Sequence, residues 1–252
     1  EMGTGKTKVC IDNIAMLYDR GKIKSALVIA PNGIKRNWRK ELSVHMPDHV
    51  EYMDAVWVAS PKKKEQIELM NVCQISDKLQ ILIMNIEALS TGRGLDFARS
   101  FVLPGFCFMV VDESTTIKNH SARRTKNIMK IANLAKYRRI MTGSPVTKSP
   151  LDLFSQVEFL GPWLLEQSNY YAFRARYAII QQRSVGSHSF QHVMGYQRLD
   201  ELTAILREFS TRILKSECLD LPDKLYTKRT VAMTPEQLKA YVEMKRAAIT
   251  FF

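Results

Sequence analysis

The first seven residues, Glu1-Met2-Gly3-Thr4-Gly5-Lys6-Thr7, end in Gly-Lys-Thr after a short glycine-bearing loop. Those residue types in that order suit a phosphate. Backbone N–H groups of the loop cradle it, the Lys6 ammonium reaches the β and γ phosphates, and the Thr7 hydroxyl is a ligand for Mg²⁺. A second chemical pair, Asp112-Glu113, directly follows the apolar run Phe106-Cys107-Phe108-Met109-Val110-Val111. An acid at a strand end can hold Mg²⁺ directly or through water, and its neighbour can deprotonate or orient a water. Asp112 is therefore expected as the metal partner and Glu113 as the general base. Each signal has a plain alternative: a turn-to-helix junction for the first, a solvated acidic pair for the second. Their joint occurrence in a βαβ context is what points to nucleotide chemistry.

The elements that must position these groups alternate. Ile11, Ile14, Ala15 and Tyr18 follow helical spacing after Thr7, and Gly21 can end that helix, so the glycine-rich loop opens a helix N-terminus. Ala26-Leu27-Val28-Ile29-Ala30, stopped by Pro31, reads as a strand buried on both faces. Ile34, Trp38 and Leu42 mark a helix in which Trp38 is core rather than a base-stacking platform. A strand is expected over residues 55–59, then a helix capped by Ser60 with Pro61 in its first turn, running through Ile67 and Met70. Residues 79–84 and 106–111 read as further strands. A helix carrying Ile128, Ile131 and Leu134 leads to a short strand ending in Met141-Thr142-Gly143-Ser144-Pro145. Such alternation predicts a doubly wound parallel sheet with its ligand at the carboxyl ends of the strands.

From Ser149-Pro150 onward the texture changes. Leu153, Phe154, Val157 and Leu160 share a helical face. Aromatic-rich helical segments over residues 170–180 and a Gly/Ser/His-containing loop follow, with no strand alternation, then a helix over 199–209. Leu221-Pro222-Asp223 reads as a linker and residues 225–233 as a strand. Thr234-Pro235-Glu236-Gln237 is a capping box with Pro at the first helical position.

Composition bounds the partners. Hydrophobic residues make up 46% and charged residues 25%, an ordinary globular balance, and no apolar run approaches the roughly 20 residues a membrane helix needs. A soluble intracellular protein, of cytoplasm, nucleoid or nucleus, is expected. Four cysteines lie far apart without a CxxC pair, which suggests free thiols in a reducing compartment. His188 and His192 are four apart, as on one helical face, but have no Cys or acidic partner in a ligand pattern. The net charge of +12 favours a polyanion, and nucleic acid above others, because neutralising phosphates releases counterions. Lys62-Lys63-Lys64 reads as a solvated face.

Five segments in order resemble the motifs of the superfamily 2 helicases, and within them the Swi/Snf-type DNA-dependent ATPases. EMGTGKT resembles motif I and VIAPNGIKRNWRKEL motif Ia. ILIMNIEALS resembles the next strand-and-loop motif, MVVDESTTIKN motif II, and RRIMTGSPVTKSPLDLFSQVEFLGP motif III with its following helix. The resemblance is close over residues 1–162. RILKSECLDLPDKLYTKRTVAMTPEQLKAY resembles, more loosely, the passage from the first lobe to the second.

The resemblance implies an α/β RecA-like P-loop NTPase lobe over 1–162, with a parallel sheet flanked by helices. It further implies a helical protrusion or linker over 163–222 and the start of a second lobe over 223–252. It implies ATP and Mg²⁺ bound through Gly3, Thr4, Gly5, Lys6, Thr7, Asp112 and Glu113, with Lys6, Asp112 and Glu113 catalytic. Thr142, Gly143 and Ser144 would couple the γ-phosphate to the DNA-bound arrangement. DNA would meet residues 31–36 and Asn85, Ile86 and Glu87, with Asn32, Lys35, Arg36 and Asn85 as contacts. Lys35, Arg36 and Arg39 suit phosphate contacts, and a solvated helix face explains them equally well.

The sequence departs from the family at Thr115, where many members carry His; this puts the coupling contact made there in question and leaves metal binding untouched. The phosphate-loop pattern also asks for one residue and a buried strand before Glu1, and no second-lobe motif is matched before Phe252. The chain therefore reads as a fragment that binds ATP weakly and hydrolyses it poorly by itself. Two other readings remain open: a non-catalytic basic nucleic-acid-binding module on the same fold, and the motor subunit of a restriction system.

Overall fold

The computed structural model describes residues 3–74, 76–185, 188–218, 220 and 225–249. Contacts divide the chain into two units, 1–218 and 219–252. In the first, helix α1 (Lys6–Asp19) is followed by strand β1 (Ser25–Ala30), α2 (Lys35–His45), β2 (Tyr52–Val56), α3 (Lys63–Asn71), β3 (Leu79–Asn85), α4 (Gly92–Val102), β4 (Cys107–Asp112), α5 (Arg123–Ala132) and β5 (Tyr137–Met141). The five strands form one sheet in the order β2-β3-β1-β4-β5, and every neighbouring pair is parallel. This is the doubly wound parallel sheet expected from the alternation, and the RecA-like arrangement that the resemblance implies.

Uniformly apolar strands are what a sheet covered on both faces requires. All six residues of β1 and all six of β4 are buried. Leu27, Ile29, Leu82, Met84, Met109 and Val111 point to one face, where α4 and α5 add Ala98, Val102, Ile128 and Ile131. Ala26, Val28, Ile81, Ile83, Phe108 and Val110 point to the other, where α1 and α2 add Cys10, Ile11, Ile14, Trp38 and Leu42. At roughly 1.5–3 kcal/mol per fully buried large apolar side chain, these two layers are the main source of the sheet's stability. The chain goes from β1 to the β2 edge, returns to β3, and then crosses β1 to reach β4. The crevice created by that reversal lies at the carboxyl ends of the central strands. At Gly94 a Cβ would stand 2.2 Å from the Ala88 carbonyl oxygen, so only glycine lets α4 start this close to the turn after β3.

Beyond β5, α6 (Leu153–Leu160) and α7 (Tyr170–Tyr177) lead into strands β6 (Ala178–Val185) and β7 (His188–Tyr196), followed by α8 (Leu199–Phe209) and the short α9 (Lys215–Cys218). A third apolar cluster, including Leu153, Phe154, Val157, Phe173, Tyr177 and Leu202, joins α6, α7 and α8. The second unit contains α10 (Pro235–Ile249). Its start is the expected capping box: the Thr234 N–H donates to Gln237 Oε1 at 3.1 Å and the Gln237 N–H to Thr234 Oγ1 at 3.3 Å.

Four sequence expectations change. The segment after α7 forms an antiparallel hairpin, not helix and loop, and His188 and His192 both lie in β7. Ile180 and Val193 pair across it and pack on the third cluster, so one face alternates into a core that supplies no helical period. Residues 225–233 form no strand, and Leu225, Tyr226 and Val231 are exposed: partial alternation makes one apolar edge, but a strand also needs a neighbouring ladder. The second strand spans Tyr52–Val56 rather than 55–59. Helix α3 starts after Lys62, whose N–H donates to Glu65 Oε2 at 2.8 Å, so that bond and not Ser60 closes the helix start. The linker expected at 221–223 lies outside the described residues. The four cysteines are free thiols, as expected, with Cys10 and Cys107 buried.

Candidate nucleotide and nucleic-acid site

Gly3 and Gly5 both have φ of +79°, the left-handed region that favours glycine, and Gly5 is the N-cap of α1. The Gly5 carbonyl accepts the Val9 N–H at 3.0 Å, so the helix begins there and presents the first-turn N–H groups that have no intrahelical partner. No acidic side chain occupies this turn. A glycine-bearing loop that opens a helix N-terminus is the kind of geometry that suits an anion. Burial pushes the thiol of Cys10, one turn beyond Lys6, up to about 12; Arg139 opposes that rise and the charge of Asp112 adds to it. Cys10, one turn into α1, therefore feels the charge of Asp112 at the end of β4.

Asp112, the last residue of β4, is buried. Its Oδ2 accepts the Trp38 indole N–H at 2.8 Å and its Oδ1 the Glu113 backbone N–H at 3.0 Å. Glu113 leaves the strand at φ 51°, ψ 60°, a left-handed conformation that costs a non-glycine residue of order 1–3 kcal/mol. The strain is held by the turn that follows, where the Glu113 carbonyl accepts the Thr116 N–H at 3.0 Å and its hydroxyl at 2.9 Å. The effect is to turn Glu113 away from the buried direction of Asp112. One acid is buried and held at both oxygens; the other is half-buried.

Asp112 pairs in register with Met141, which brings the end of β5 alongside. Thr142 Oγ1 donates to Glu113 Oε2 at 3.4 Å and accepts the Ser144 N–H at 3.2 Å. Gly143 lies between these two residues. The predicted coupling loop and the predicted base are therefore bonded to each other.

A second connection was not foreseen. Gln156 on α6 is fully buried; its Oε1 accepts the Ser114 hydroxyl at 2.7 Å, and its Nε2 donates to the carbonyls of Pro145 and Asp152, each at 2.8 Å. Ser155 donates to the Ile117 carbonyl at 2.7 Å. Helix α6 thus grips both loops, and these bonds, not one from Thr115, link the segment after Glu113 to the segment after Thr142. The available signal was two polar residues inside an otherwise apolar stripe of α6. Asp152 closes the second loop. Burial would raise its carboxyl, but the Lys148 N–H, the Thr147 hydroxyl and N–H, and the Lys118 ammonium outweigh that and hold it below the usual range.

The residues predicted to face nucleic acid lie at the ends of β1 and β3. Lys35 Nζ donates to the Trp57 carbonyl at 3.0 Å and to Asn85 Oδ1 at 3.3 Å, while Asn85 Nδ2 donates to Glu87 Oε2 at 2.9 Å. Burial lowers the Lys35 ammonium, with Glu87 opposing and Arg36 reinforcing that shift. Asn32 and Arg36 are exposed, and Arg36 makes no ion pair among the described residues. Two expectations are corrected. Ile86 is 2% exposed and belongs to the core, because the turn after β3 packs against α4. Arg39, though its side chain is 43% exposed, is engaged by two carboxylates of the protein, Asp54 on β2 at 2.7 Å and Glu68 on α3 at 3.0 Å. Trp38 is core, as expected. A broad groove of about 790 Å³ between α3 and α4, lined by Trp57, Leu69, Met70 and Phe97, lacks the paired carboxylates of the β4 end and carries no comparable chemistry.

Comparison with known proteins agrees with this geometry. Residues 1–251 match the SNF2-related domain family. The chromatin remodeling factor mit1 of Schizosaccharomyces pombe is 27% identical over 245 residues, which are 96% of this chain and 15% of that protein. The DNA repair and recombination protein RAD54B of Mus musculus is 29% identical over 218 residues, 84% of this chain and 23% of that one. A solved SWI2/SNF2 ATPase core of Sulfolobus solfataricus in complex with dsDNA has a TM-score of 0.63 at 26% identity, over 96% of this chain and 45% of that one. The chain thus spans less than half of the length of each of these three. Since the family match covers nearly every residue, and the fold agrees with it, the chain belongs to the SNF2-related domain family.

Proposed function

We propose that this chain is the ATP-binding lobe of an ATP-dependent DNA translocase or helicase, in which hydrolysis is coupled to movement along DNA. The observation that carries the reading is the end of β4: a fixed buried acid beside a turned-out acid that is bonded to the loop after β5. The names of the relatives support the substrate class, since they include a DNA repair and recombination protein and DNA annealing helicases, and the solved core was obtained with dsDNA.

In this reading the N–H groups of residues 3–7 cradle the phosphates and Lys6 reaches the β and γ groups. Thr7 and Asp112 offer only oxygen, the donor type a hard divalent cation takes, and each Asp112 oxygen retains a lone pair beyond the hydrogen bond it accepts. These two residues would hold Mg²⁺, which when bound would offset phosphate charge. Glu113 orients and deprotonates the attacking water, and its bond to Thr142 changes with the γ-phosphate, carrying that state through Gly143 and Ser144. Asn32, Arg36 and, through Lys35, Asn85 face the DNA backbone. The reading keeps residues 1–162 as the nucleotide lobe, 163–222 as protrusion and linker, and 223–252 as the start of a second lobe.

The test is DNA-stimulated ATP hydrolysis by the full-length protein. Lys6→Ala and Glu113→Gln are each expected to abolish it; wild-type turnover in either would sink the assignment. A titration showing no Mg²⁺-dependent ATP affinity would leave a basic binding module in its place.

A further inference from the structure

A core position on α2 needs an apolar side chain, which Leu or Phe would satisfy. The residue present is Trp38, 1% exposed, and a buried indole N–H requires an acceptor. The acceptor it finds is the Asp112 carboxylate, 74 residues away in sequence. The indole is a donor only and cannot exchange roles with its partner. With Trp38 on one oxygen and the Glu113 N–H on the other, two separate elements define the plane of this carboxylate. Helix α2 cannot easily shift to release it. Leu42, one turn on, is fully buried, and the adjacent Arg39 is tied to Asp54 on β2 and Glu68 on α3.

We infer that Trp38 is a positioning residue for the metal-binding carboxylate: its indole N–H holds Asp112 in the orientation that presents the remaining lone pairs to a divalent cation. The inference rests on the proposed ATP–Mg²⁺ role of this site. It makes α2, whose first turn carries Lys35 and Arg36, a structural part of the nucleotide site as well as of the predicted nucleic-acid edge. A residue that only fills space would affect stability; a positioning residue also changes how much metal the site needs.

The experiment measures, in the full-length protein, the Mg²⁺ concentration that half-saturates binding of a fluorescent non-hydrolysable ATP analogue. Outer-shell partners of metal ligands typically change metal affinity about 10–100-fold when removed. Trp38→Phe is expected to raise the Mg²⁺ requirement within that range and to leave analogue binding in EDTA unchanged. Placed on Asp112→Asn, it should add little, because the group it acts through is already altered. Benzothienylalanine at position 38, which keeps the ring shape but replaces N–H with sulfur, should reproduce the rise and decides the matter if Trp38→Phe does not fold. The inference is overturned if Asp112→Asn raises the Mg²⁺ requirement while both changes at position 38 leave it at the wild-type value. If Asp112→Asn itself changes nothing, the ATP-site reading fails and takes this inference with it.

Discussion

The carboxyl end of the sheet has two edges that use similar residue types in opposite ways. Beside β4 and β5, the polar groups hold one another in place and leave capacity for a ligand: Asp112 keeps lone pairs and Glu113 is half-buried, bonded to Thr142 through one oxygen. Beside β1 and β3, several predicted ligand-facing groups serve the protein itself. Lys35 bonds to Trp57 and Asn85, Arg39 bridges β2 and α3, and Ile86 fills the core. A cation in the right segment is therefore not the same as a cation available to phosphate. Internal hydrogen bonds must be given up before it can serve, whereas Arg36 is exposed and makes no ion pair among the described residues.

The largest effect that tests this contrast is on turnover. Glu113→Gln should lower DNA-stimulated kcat by about 10²–10⁴-fold, the usual contribution of a general base, whereas Lys35→Ala should change kcat far less at saturating DNA. Equal losses would erase the distinction between the edges. Next is the grip of α6. Gln156→Ala strands the buried Ser114 hydroxyl and takes a donor from two part-buried carbonyls, and should cost about 1–3 kcal/mol in urea unfolding, while Ser114→Ala with Gln156→Leu should recover much of it by removing both polar partners. A double variant as unstable as Gln156→Ala would show that the loop carbonyls, not the Ser114 pair, dominate.

A smaller effect separates Arg36 from Lys35. Arg36→Ala should weaken duplex binding and reduce the slope of log affinity against log salt by about 1, as expected for one phosphate contact, and Lys35→Ala should reduce it less. The reverse order would mean that Lys35 abandons its internal partners when DNA binds. The smallest is a pH effect next to the β4–β5 edge. His120, in the loop after Glu113, stacks on Tyr170 with ring centroids 3.6 Å apart. Burial, with Lys126 adding to it, lowers its ring below the usual 6.5. Below 6.5 the unfolded chain takes up the proton before the folded one does, so stability falls as pH drops through that window and is unaffected above it. His120→Phe keeps a stacked ring and should flatten the acid side of the melting-temperature profile; an unchanged profile would remove His120 as its source.

Legibility followed the kind of force involved. The parallel sheet was readable because burial on both faces demands continuous apolar runs, and β1 and β4 have them. The 234–237 cap was readable because its bonds are local. The β6–β7 hairpin was not: its inward residues, among them Ile180 and Val193, are sparse, and the core they meet is assembled by α6, α7 and α8 only once these pack together. Gln156 was hidden for the same reason, its partner being 42 residues distant.

By itself, then, the sequence determined the alternation of strands and helices, the glycine-rich start of α1, and the placing of Asp112 and Glu113 at a strand end, since each depends on neighbours along the chain. Tertiary structure alone decided which polar groups are free to act. It gave Asp112 to Trp38, Glu113 to Thr142, Arg39 to Asp54 and Glu68, and the loop after β5 to Gln156. The physical reason is that a buried donor or acceptor must be paired, and its partner is whatever packing brings within about 3 Å, however far away it lies in the chain.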